Sequence, residues 1–275
     1  MFKRILAALL CSVITASVCC SCGAQKSVST TSDSTQKTTG VQITTAEEPT
    51  EASKENVDPA KAEIANYTAP QKGDKIVTIN IKDYGAVKIR LFPEYASKGV
   101  ENFIGLAEQD YYNGVIFHRI ISNFMIQGGD PQGTGMGGQS IWGEKFDGGT
   151  DPHLIHCPGA LAYANSGSTA TNGSQFYIVT GEAVTESYLG QIEAAYGKTF
   201  SPSAKEIYLK QGGTPHLDGG YTVFGQVFDG LDIVFKIQNV PTGSQDRPVT
   251  PVVIESVEVS EYNGEELKWY ISDYN

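Results

Sequence analysis

The residues best suited to chemistry lie close together in one short stretch, positions 117–130. Arg119 and Gln127 enclose two large apolar residues, Phe124 and Met125. Arginine stays charged at physiological pH and presents several N–H donors in one fixed plane. Beside it, apolar side chains can hold a ligand while the guanidinium binds a neighbouring polar group. The stretch therefore predicts a site that binds a partly apolar ligand and stabilises charge on it.

This stretch is the first of several short motifs that follow one another along the chain. Ala164 and Asn165 come next, then Asn-Gly-Ser-Gln-Phe-Tyr at 172–177, Leu-Asp-Gly at 217–219 and Phe-Gly at 224–225. In this order the motifs resemble the cyclophilin family over roughly residues 75–259, apart from an insertion. The resemblance implies an antiparallel β-barrel closed by two helices. It also implies catalysis of rotation about the peptide bond that precedes proline.

Carried over position by position, the resemblance implies a role for each residue of the site. Arg119 matches the catalytic arginine, and Gln127 matches the polar residue that orients it. The remaining matches imply substrate contacts: Phe124, Met125, Tyr177 and Leu217 as the proline pocket, His216 and Tyr221 at its rim, and Ala164, Asn165 and Gln175 along the bound peptide. The implied partners are proline-containing unfolded or exported polypeptides. No metal or other cofactor is expected.

The implied reaction suits these residue types. Rotation about a peptide bond has a barrier of about 18–20 kcal/mol because the C–N bond has partial double-bond character. A protein accelerates the rotation by binding the twisted amide more tightly than the planar one, so neither a nucleophile nor a metal is required. We therefore expect Arg119 to stabilise the twisted amide electrostatically while the apolar pocket holds the proline ring.

Several positions depart from the family pattern. His216 stands where many cyclophilins carry tryptophan, and members without that tryptophan tend to bind cyclosporin poorly, so we expect weak inhibition. Tyr221 stands where histidine is common. Tyr177 replaces a usual phenylalanine and adds a hydroxyl that needs a partner, and the loop at 166–171 is one residue longer. These differences leave open a second hypothesis, a chaperone or adaptor that binds proline-containing segments with little turnover.

Hydrophobic periodicity predicts the elements that position the site. Positions 75–81 and 86–92 alternate on either side of a turn and predict a hairpin, and positions 97–109 predict an amphipathic helix. Glycines separate six further strand-like runs, at 115–121, 124–127, 160–164, 174–180, 221–228 and 252–259. The prediction is a mainly β fold, a closed eight-stranded antiparallel β-barrel capped by two helices.

One segment, about residues 182–213, departs from the strand pattern and predicts a helical insertion in a barrel loop. Apolar residues from Tyr188 onward fall at helical spacing, and Gly197 would end that helix. Ser203 with Glu206 resembles a capping box for a second helix. The insertion is a candidate docking site for a partner.

The N-terminal residues predict export. A basic start precedes an apolar run at 5–18, which suits the core of a signal peptide and is short for a membrane span. The segment resembles a bacterial lipoprotein signal in which Cys22 bears the lipid. Cys19 and Cys20 remain alternative sites, and an ordinary secreted protein is the alternative interpretation.

This interpretation divides the chain into three parts. Residues 1–21 would be the signal peptide, residues 22–65 a lipid-anchored tether, and residues 66–275 the cyclophilin-like isomerase domain. The tether is rich in Ser, Thr, Glu and Lys and has almost no large apolar residues, so it is predicted to be disordered. We expect an extracytoplasmic monomer anchored to the bacterial cell membrane.

Charge and the remaining motifs exclude other classes of function. The formal net charge of −11 and the pI near 4.8 lack the basic field that nucleic-acid binding needs. The G-x-G-x-x-G pattern at 133–138 is not followed by a helical sequence, so it does not predict a dinucleotide site. His153, His156 and Cys157 are zinc-ligand types, but prolines crowd them and no fourth ligand is evident.

Overall fold

The computed structural model describes residues 57–264, which form eight β-strands and four α-helices. The strands are β1 Lys75–Ile81, β2 Gly85–Leu91, β3 Arg119–Ile121, β4 Met125–Gly128, β5 Ala160–Tyr163, β6 Phe176–Val179, β7 Val223–Asp229 and β8 Ile254–Glu261. The helices are α1 Pro93–Ala107, α2 Glu186–Tyr196, α3 Pro202–Gln211 and α4 Leu231–Ile237. Short 3-10 turns include Pro59–Lys61, Thr169–Thr171, Pro215–Leu217 and Ser244–Asp246.

All eight strands belong to one antiparallel sheet, in the order β3-β4-β6-β5-β7-β2-β1-β8. The two edges of this sheet meet, because the chain just before β3 bonds to the chain that enters β8. The Phe117 N–H donates to the Val252 carbonyl at 2.9 Å, and the Ile254 N–H donates to the Val115 carbonyl at 2.8 Å. The sheet thus curls onto itself, and the predicted mainly β, eight-stranded barrel is confirmed.

Alternating residues of strand β1 point into the barrel. In β1, Val77, Ile79 and Ile81 are buried, whereas Thr78 and Asn80 between them are part-exposed. The alternation arises because successive side chains of a strand point to opposite faces of the sheet. This period of two is the pattern from which the sequence predicted the strand.

Two helices cap the barrel, as expected: α1 packs against β7 and β8, and α4 packs against β2. Helix α1 contributes Phe103, whose ring centroid lies 5.3 Å from those of Phe176 and Phe224 in the core. The helix begins at Pro93, earlier than predicted, since proline is favoured in the first turn of a helix. The periodicity did not reveal this start because the backbone is non-helical at Ala96.

Helices α2 and α3 lie in the segment predicted to be a helical insertion, and they share a small core of their own. Leu189 and Ile192 of α2 are buried with Phe200 and Tyr208. Gly197 follows α2 at a φ of 62°, a left-handed conformation that glycine adopts without steric cost.

The predicted cap of the second inserted helix is wrong by two residues. Ser201, not Ser203, precedes α3, and its hydroxyl accepts the Ala204 N–H at 3.2 Å. Proline at position 202 fits the first turn of the helix, where its missing N–H costs nothing. The Ser203 hydroxyl instead accepts the Ile64 N–H at 3.3 Å.

That last contact corrects the predicted end of the tether. Residues 57–65 were predicted to be disordered, but Ala62, Ile64 and Ala65 are buried, and the Ala65 N–H donates to the His153 carbonyl at 2.8 Å. Ile64 packs into the core of the insertion. The prediction failed here because one isoleucine and two alanines are enough to order this segment when they can pack against an apolar surface nearby.

The other N-terminal predictions lie outside the described residues. The predicted signal peptide at 1–21, the predicted lipid site at Cys22 and the predicted tether up to residue 56 all lie there, and residues 265–275 are also outside the described part. Within residues 57–264, no helix is both long enough and apolar enough to cross a bilayer.

Candidate active site

Strand register places the central site residues in one row. Arg119 of β3 lies opposite Gln127 of β4, and Gln127 lies opposite Tyr177 of β6. Directly opposed residues of antiparallel strands point to the same face. Their neighbours Ile126 and Ile178 point the other way into the barrel core and are fully buried. The predicted catalytic residues therefore share the outer face of the sheet.

Gln127 belongs to a chain of side-chain amides. Its Nε2 donates to Oε1 of Gln175 at 2.9 Å. Gln175 Nε2 in turn donates to the carbonyls of Gly135 and Gly137 at 3.0 and 2.9 Å. Gln127 was predicted to orient Arg119; its amide instead bonds to Gln175, and Arg119 has a different partner. These amides connect the strand row, which consists of Arg119, Gln127 and Tyr177, to the glycine loop at 133–138.

Asp130 holds that glycine loop in shape. Its carboxylate accepts the backbone N–H groups of Gln132, Thr134, Gly135 and Gly137 at 2.7–3.2 Å, and also the Thr134 hydroxyl. Burial acts to raise the pKa of Asp130, but these hydrogen bonds to the charged form outweigh burial and lower it. The G-x-G-x-x-G pattern thus folds around a carboxylate, in agreement with the rejection of a dinucleotide site.

The hydrogen-bond partner of Arg119 is Asp246, a residue that the sequence analysis missed. Arg119 Nε lies 3.4 Å from Asp246 Oδ2, and both side chains are part-exposed. Gln245 and Asp246 have φ values of 60° and 56°. Non-glycine residues rarely adopt this left-handed region, and such strain often occurs at functional sites. Because 127 positions separate the pair, no local pattern could have revealed it.

The residues predicted to form the proline pocket lie beside the strand row. The rings of Phe124 and His216 are stacked, with centroids 6.1 Å apart and an interplanar angle of 19°. The rings of Tyr177 and Tyr221 meet edge to face at 6.0 Å. Met125 and Tyr177 are almost fully buried, and Phe124, Leu217 and Tyr221 are part-buried against the core. The ring contacts thus bring His216 to Phe124 and Tyr221 to Tyr177, and Leu217 directly follows His216 in the chain.

The extra hydroxyl of Tyr177 has the partner that the sequence analysis required. It lies 3.0 Å from Nε2 of His156, whose Nδ1 lies 2.7 Å from Asp218 Oδ1. Asp218 Oδ2 accepts the hydroxyl of Tyr208 from the inserted helix α3 at 2.6 Å. Burial first, and then the charges of Tyr221 and Asp218, raise the pKa of Tyr177 well above its usual value. The hydroxyl therefore stays protonated and hydrogen-bonded.

The potential zinc ligands serve other purposes. His156 belongs to this buried network, and His153 Nδ1 lies 2.7 Å from Asp151 Oδ1. Burial raises the pKa of the Cys157 thiol to about 12. Among residues 57–264, no three His, Cys, Asp or Glu side chains are grouped as metal ligands.

Ala164 and Asn165 border a groove on the other side of Gln127. The Ala164 N–H donates to the Gln175 carbonyl at 3.0 Å, and Asn165 Nδ2 donates to the Gly220 carbonyl at 2.9 Å. A cavity of about 340 Å³ lies between them and the glycine loop, with Gln127 and Gln175 in its wall. The groove thus places Ala164, Asn165 and Gln175 next to Gln127 of the strand row.

The same arrangement of motifs occurs in known proteins. The sequence profile of the family described as cyclophilin type peptidyl-prolyl cis-trans isomerase matches residues 76–259. A Staphylococcus saprophyticus protein provisionally named peptidyl-prolyl cis-trans isomerase is 46 % identical over 189 residues, which span 69 % of this chain and 94 % of that protein. A Streptococcus pyogenes protein provisionally named bifunctional phosphatase/peptidyl-prolyl cis-trans isomerase is 46 % identical over 199 residues. This match spans 72 % of the chain but only 40 % of that longer protein.

Solved structures agree with the sequence relatives. A Cryptosporidium parvum cyclophilin type peptidyl-prolyl cis-trans isomerase, crystallised in the presence of the dipeptide Ala-Pro, is 31 % identical with a TM-score of 0.54. The match covers 68 % of this chain and 99 % of that one. Since the family profile covers more than half of the sequence and relatives reach 46 % identity, this chain belongs to the cyclophilin-type peptidyl-prolyl cis-trans isomerases.

Proposed function

We propose that this isomerase acts outside the cytoplasm on proline-containing segments of exported polypeptides, and that a lipid on Cys22 holds it at the membrane. The N-terminal sequence supports the location, because a basic start, an apolar run of signal-peptide length and a cysteine follow in that order. Exported chains fold after they cross the membrane, and slow X-Pro isomerisation can limit their folding.

The shared face of Arg119, Gln127 and Tyr177 carries the proposed mechanism. The apolar wall of Phe124, Met125, Tyr177 and Leu217 would hold the proline ring. The Arg119 guanidinium would then bind the prolyl carbonyl, or the proline nitrogen as its lone pair localises. Because these contacts strengthen as the amide twists, they lower the barrier without a covalent intermediate.

The role of Arg119 is tested by isomerisation of a proline tetrapeptide in a protease-coupled assay. Arg119→Ala should lower kcat/KM by about 100-fold, in the range seen when one electrostatic donor is removed from an active site. Arg119→Lys keeps the charge but not the planar fork and should recover only part of this loss. Equal kcat/KM for wild type and Arg119→Ala would refute the proposed role.

The same assay separates turnover from mere binding. If the folded wild type binds proline peptides without accelerating isomerisation, the chain is a proline-segment chaperone or adaptor. The departures from the family pattern at His216 and Tyr221 would then be the first candidates to explain the lack of turnover. In that case Arg119→Ala should still protect an unfolded client protein from aggregation.

The proposed anchor requires a separate experiment in bacterial cells. Metabolic labelling with a radioactive fatty acid should mark the chain, and Cys22→Ala should abolish both the label and the membrane fraction. Cys19→Ala and Cys20→Ala are the matched controls and should keep both. Retention of the label in Cys22→Ala would move the anchor to another cysteine, and absence of label in the wild type would refute lipidation.

A further inference from the structure

The helical insertion continues the wall of the proline pocket. His216 stacks on Phe124 on one side, and its Nδ1 lies 3.2 Å from the hydroxyl of Tyr188 in α2. Lys198, just after α2, donates from Nζ to the His216 carbonyl at 3.0 Å and also to the Asp218 carbonyl. These contacts join α2 to the pocket segment, so the insertion has a fixed position beside the pocket wall.

A second cavity of about 330 Å³ lies between His216 and α2. One face of α2 lines it, because residues three or four positions apart on a helix lie next to each other. The lining consists of Tyr188, Gln191, Ile192, Ala195, Tyr196 and His216. Rings and aliphatic carbons dominate this surface, and Gln191 contributes an amide. The Tyr196 side chain stands at the rim, 63 % exposed, with Lys198 Nζ 5.1 Å from its ring centroid.

We propose that this cavity is a subsite for an apolar or aromatic side chain of the client polypeptide, near the proline that occupies the main pocket. This proposal rests on the proposed function of the main pocket. The proposal depends on the position of His216, which stacks on Phe124 of the proline pocket and also lines this cavity. The side-chain chemistry follows from the rings of Tyr188, Tyr196 and His216, since aromatic faces pack best against apolar or aromatic groups.

Distance limits which client residue can reach the subsite. The centroids of Phe124 and His216 are 6.1 Å apart, and an extended chain advances about 3.3–3.6 Å per residue. Because the subsite lies beyond His216, this distance is a minimum, and the side chain comes from a residue at least about two positions from the proline. The insertion would thus select clients by a flanking residue, in addition to the proline itself.

The test uses the full chain and a peptide series with alanines around a single proline. Phenylalanine replaces alanine at each of the three positions before and after the proline, and NMR exchange gives kcat/KM without a coupling protease. Phenylalanine at the matching position should raise kcat/KM about tenfold over the all-alanine peptide, mainly through KM, as expected when one apolar side chain is buried.

Variants of the exposed α2 surface identify the cavity as the cause. Ala195→Trp fills the cavity and Tyr196→Ala removes its rim, so each should abolish the preference for phenylalanine. Ala194→Trp is the matched control, because Ala194 is also exposed but does not line the cavity; it should keep the tenfold preference. Thermal unfolding checks that all three variants fold.

Two outcomes would overturn the proposal. One is turnover of the all-alanine peptide with no preference for phenylalanine at any position. The other is an unchanged preference in both Ala195→Trp and Tyr196→Ala. If no peptide is isomerised, the proposed function itself fails, and calorimetric Kd values for the same peptides and variants decide the subsite independently.

Discussion

The hydroxyl of Tyr177 lies 3.0 Å from Nε2 of His156, beneath the proline pocket. His156 Nδ1 faces the Asp218 carboxylate at 2.7 Å, so the imidazole links the Tyr177 hydroxyl to that carboxylate. Tyr208 of the insertion completes the chain through Asp218 Oδ2. The floor of the pocket is therefore hydrogen-bonded, through two intervening residues, to a helix that lies outside the barrel.

This network predicts energetic coupling between Tyr177 and Tyr208. Tyr177→Phe leaves a buried nitrogen of His156 without its hydrogen-bond partner, which should lower the free energy of unfolding by about 1–3 kcal/mol. Tyr208→Phe should act similarly on Asp218. The Tyr208 hydroxyl also accepts the His156 backbone N–H at 3.1 Å, so both hydroxyls bond to His156, and the double variant should deviate from additivity by about 0.5 kcal/mol or more. Urea unfolding of the four proteins measures this coupling.

Tyr112→Phe is the control for that cycle. Its hydroxyl is also buried and donates to the Ser174 carbonyl, but it shares no partner with Tyr177. The pair Tyr177→Phe and Tyr112→Phe should therefore be additive. Equal additivity in both cycles would mean that the network does not connect the pocket with the insertion.

Alternation predicted the β1–β2 hairpin, because burial on one face leaves a mark at every second residue. Glycines marked the later strands, several of which are buried at almost every position. The motif at 117–130 likewise identified Arg119, Phe124 and Gln127, which one hairpin brings together. Local sequence patterns gave correct predictions where the contacting residues are close together in the sequence. They failed at the cap of α3, where two serines lie two positions apart and only the fold decides which of them meets the helix.

The residues that support the site could not be predicted in this way. Asp218 meets His156 across 62 positions, and Asp246 meets Arg119 across 127. Contacts of this kind depend on the register of the whole barrel and on where its loops return. The family resemblance did not supply them either, because its motifs name residues of the site and not the contacts that support them.

A second prediction concerns the pH dependence of stability. His118 is buried, and neither ring nitrogen has a hydrogen-bond partner among the described residues. Burial lowers the pKa of His118 below its usual value of 6.5. The unfolded chain therefore binds a proton more readily than the folded chain, so stability should fall as the pH drops through 6.5 towards the folded pKa, with at most about 1.4 kcal/mol per pH unit from one group.

His118→Phe should flatten this slope, because it keeps a ring of similar size and removes the titration. At pH 7.5 its stability should equal or exceed that of the wild type, since an unpaired buried polar group is replaced by an apolar one. Urea unfolding from pH 5 to pH 7.5 measures both effects. Any remaining slope is assigned to groups such as His216, whose pKa burial also lowers; an unchanged slope would contradict the assignment to His118.

A third prediction concerns inhibition by cyclosporin. His216 occupies the position at which many cyclophilins carry tryptophan, so the wild type should be inhibited weakly. His216→Trp offers a larger ring beside Phe124 and should strengthen inhibition by about tenfold or more. Tyr188→Phe is the control, because it removes the hydroxyl beside His216 without enlarging the ring. Inhibition that is equally weak in His216→Trp would show that another residue limits cyclosporin binding.

The last prediction concerns Asp246, which holds the Arg119 guanidinium at 3.4 Å. Asp246→Gly removes the carboxylate and relieves the backbone, because glycine adopts a φ of 56° without steric cost. Stability should stay constant or rise, while kcat/KM falls up to about fivefold, as expected for a part-exposed ion pair. Asp246→Asn keeps the side-chain shape and should fall between glycine and the wild type.

A fall in kcat/KM without a loss of stability separates positioning from folding, because a residue that only stabilises the fold would lower both quantities together. The decrease should lie mainly in kcat, since Arg119 acts on the twisted amide. In an Arg119→Ala background, Asp246→Gly should change kcat/KM no further. A full additional loss there would mean that Asp246 acts on the substrate through some route other than Arg119.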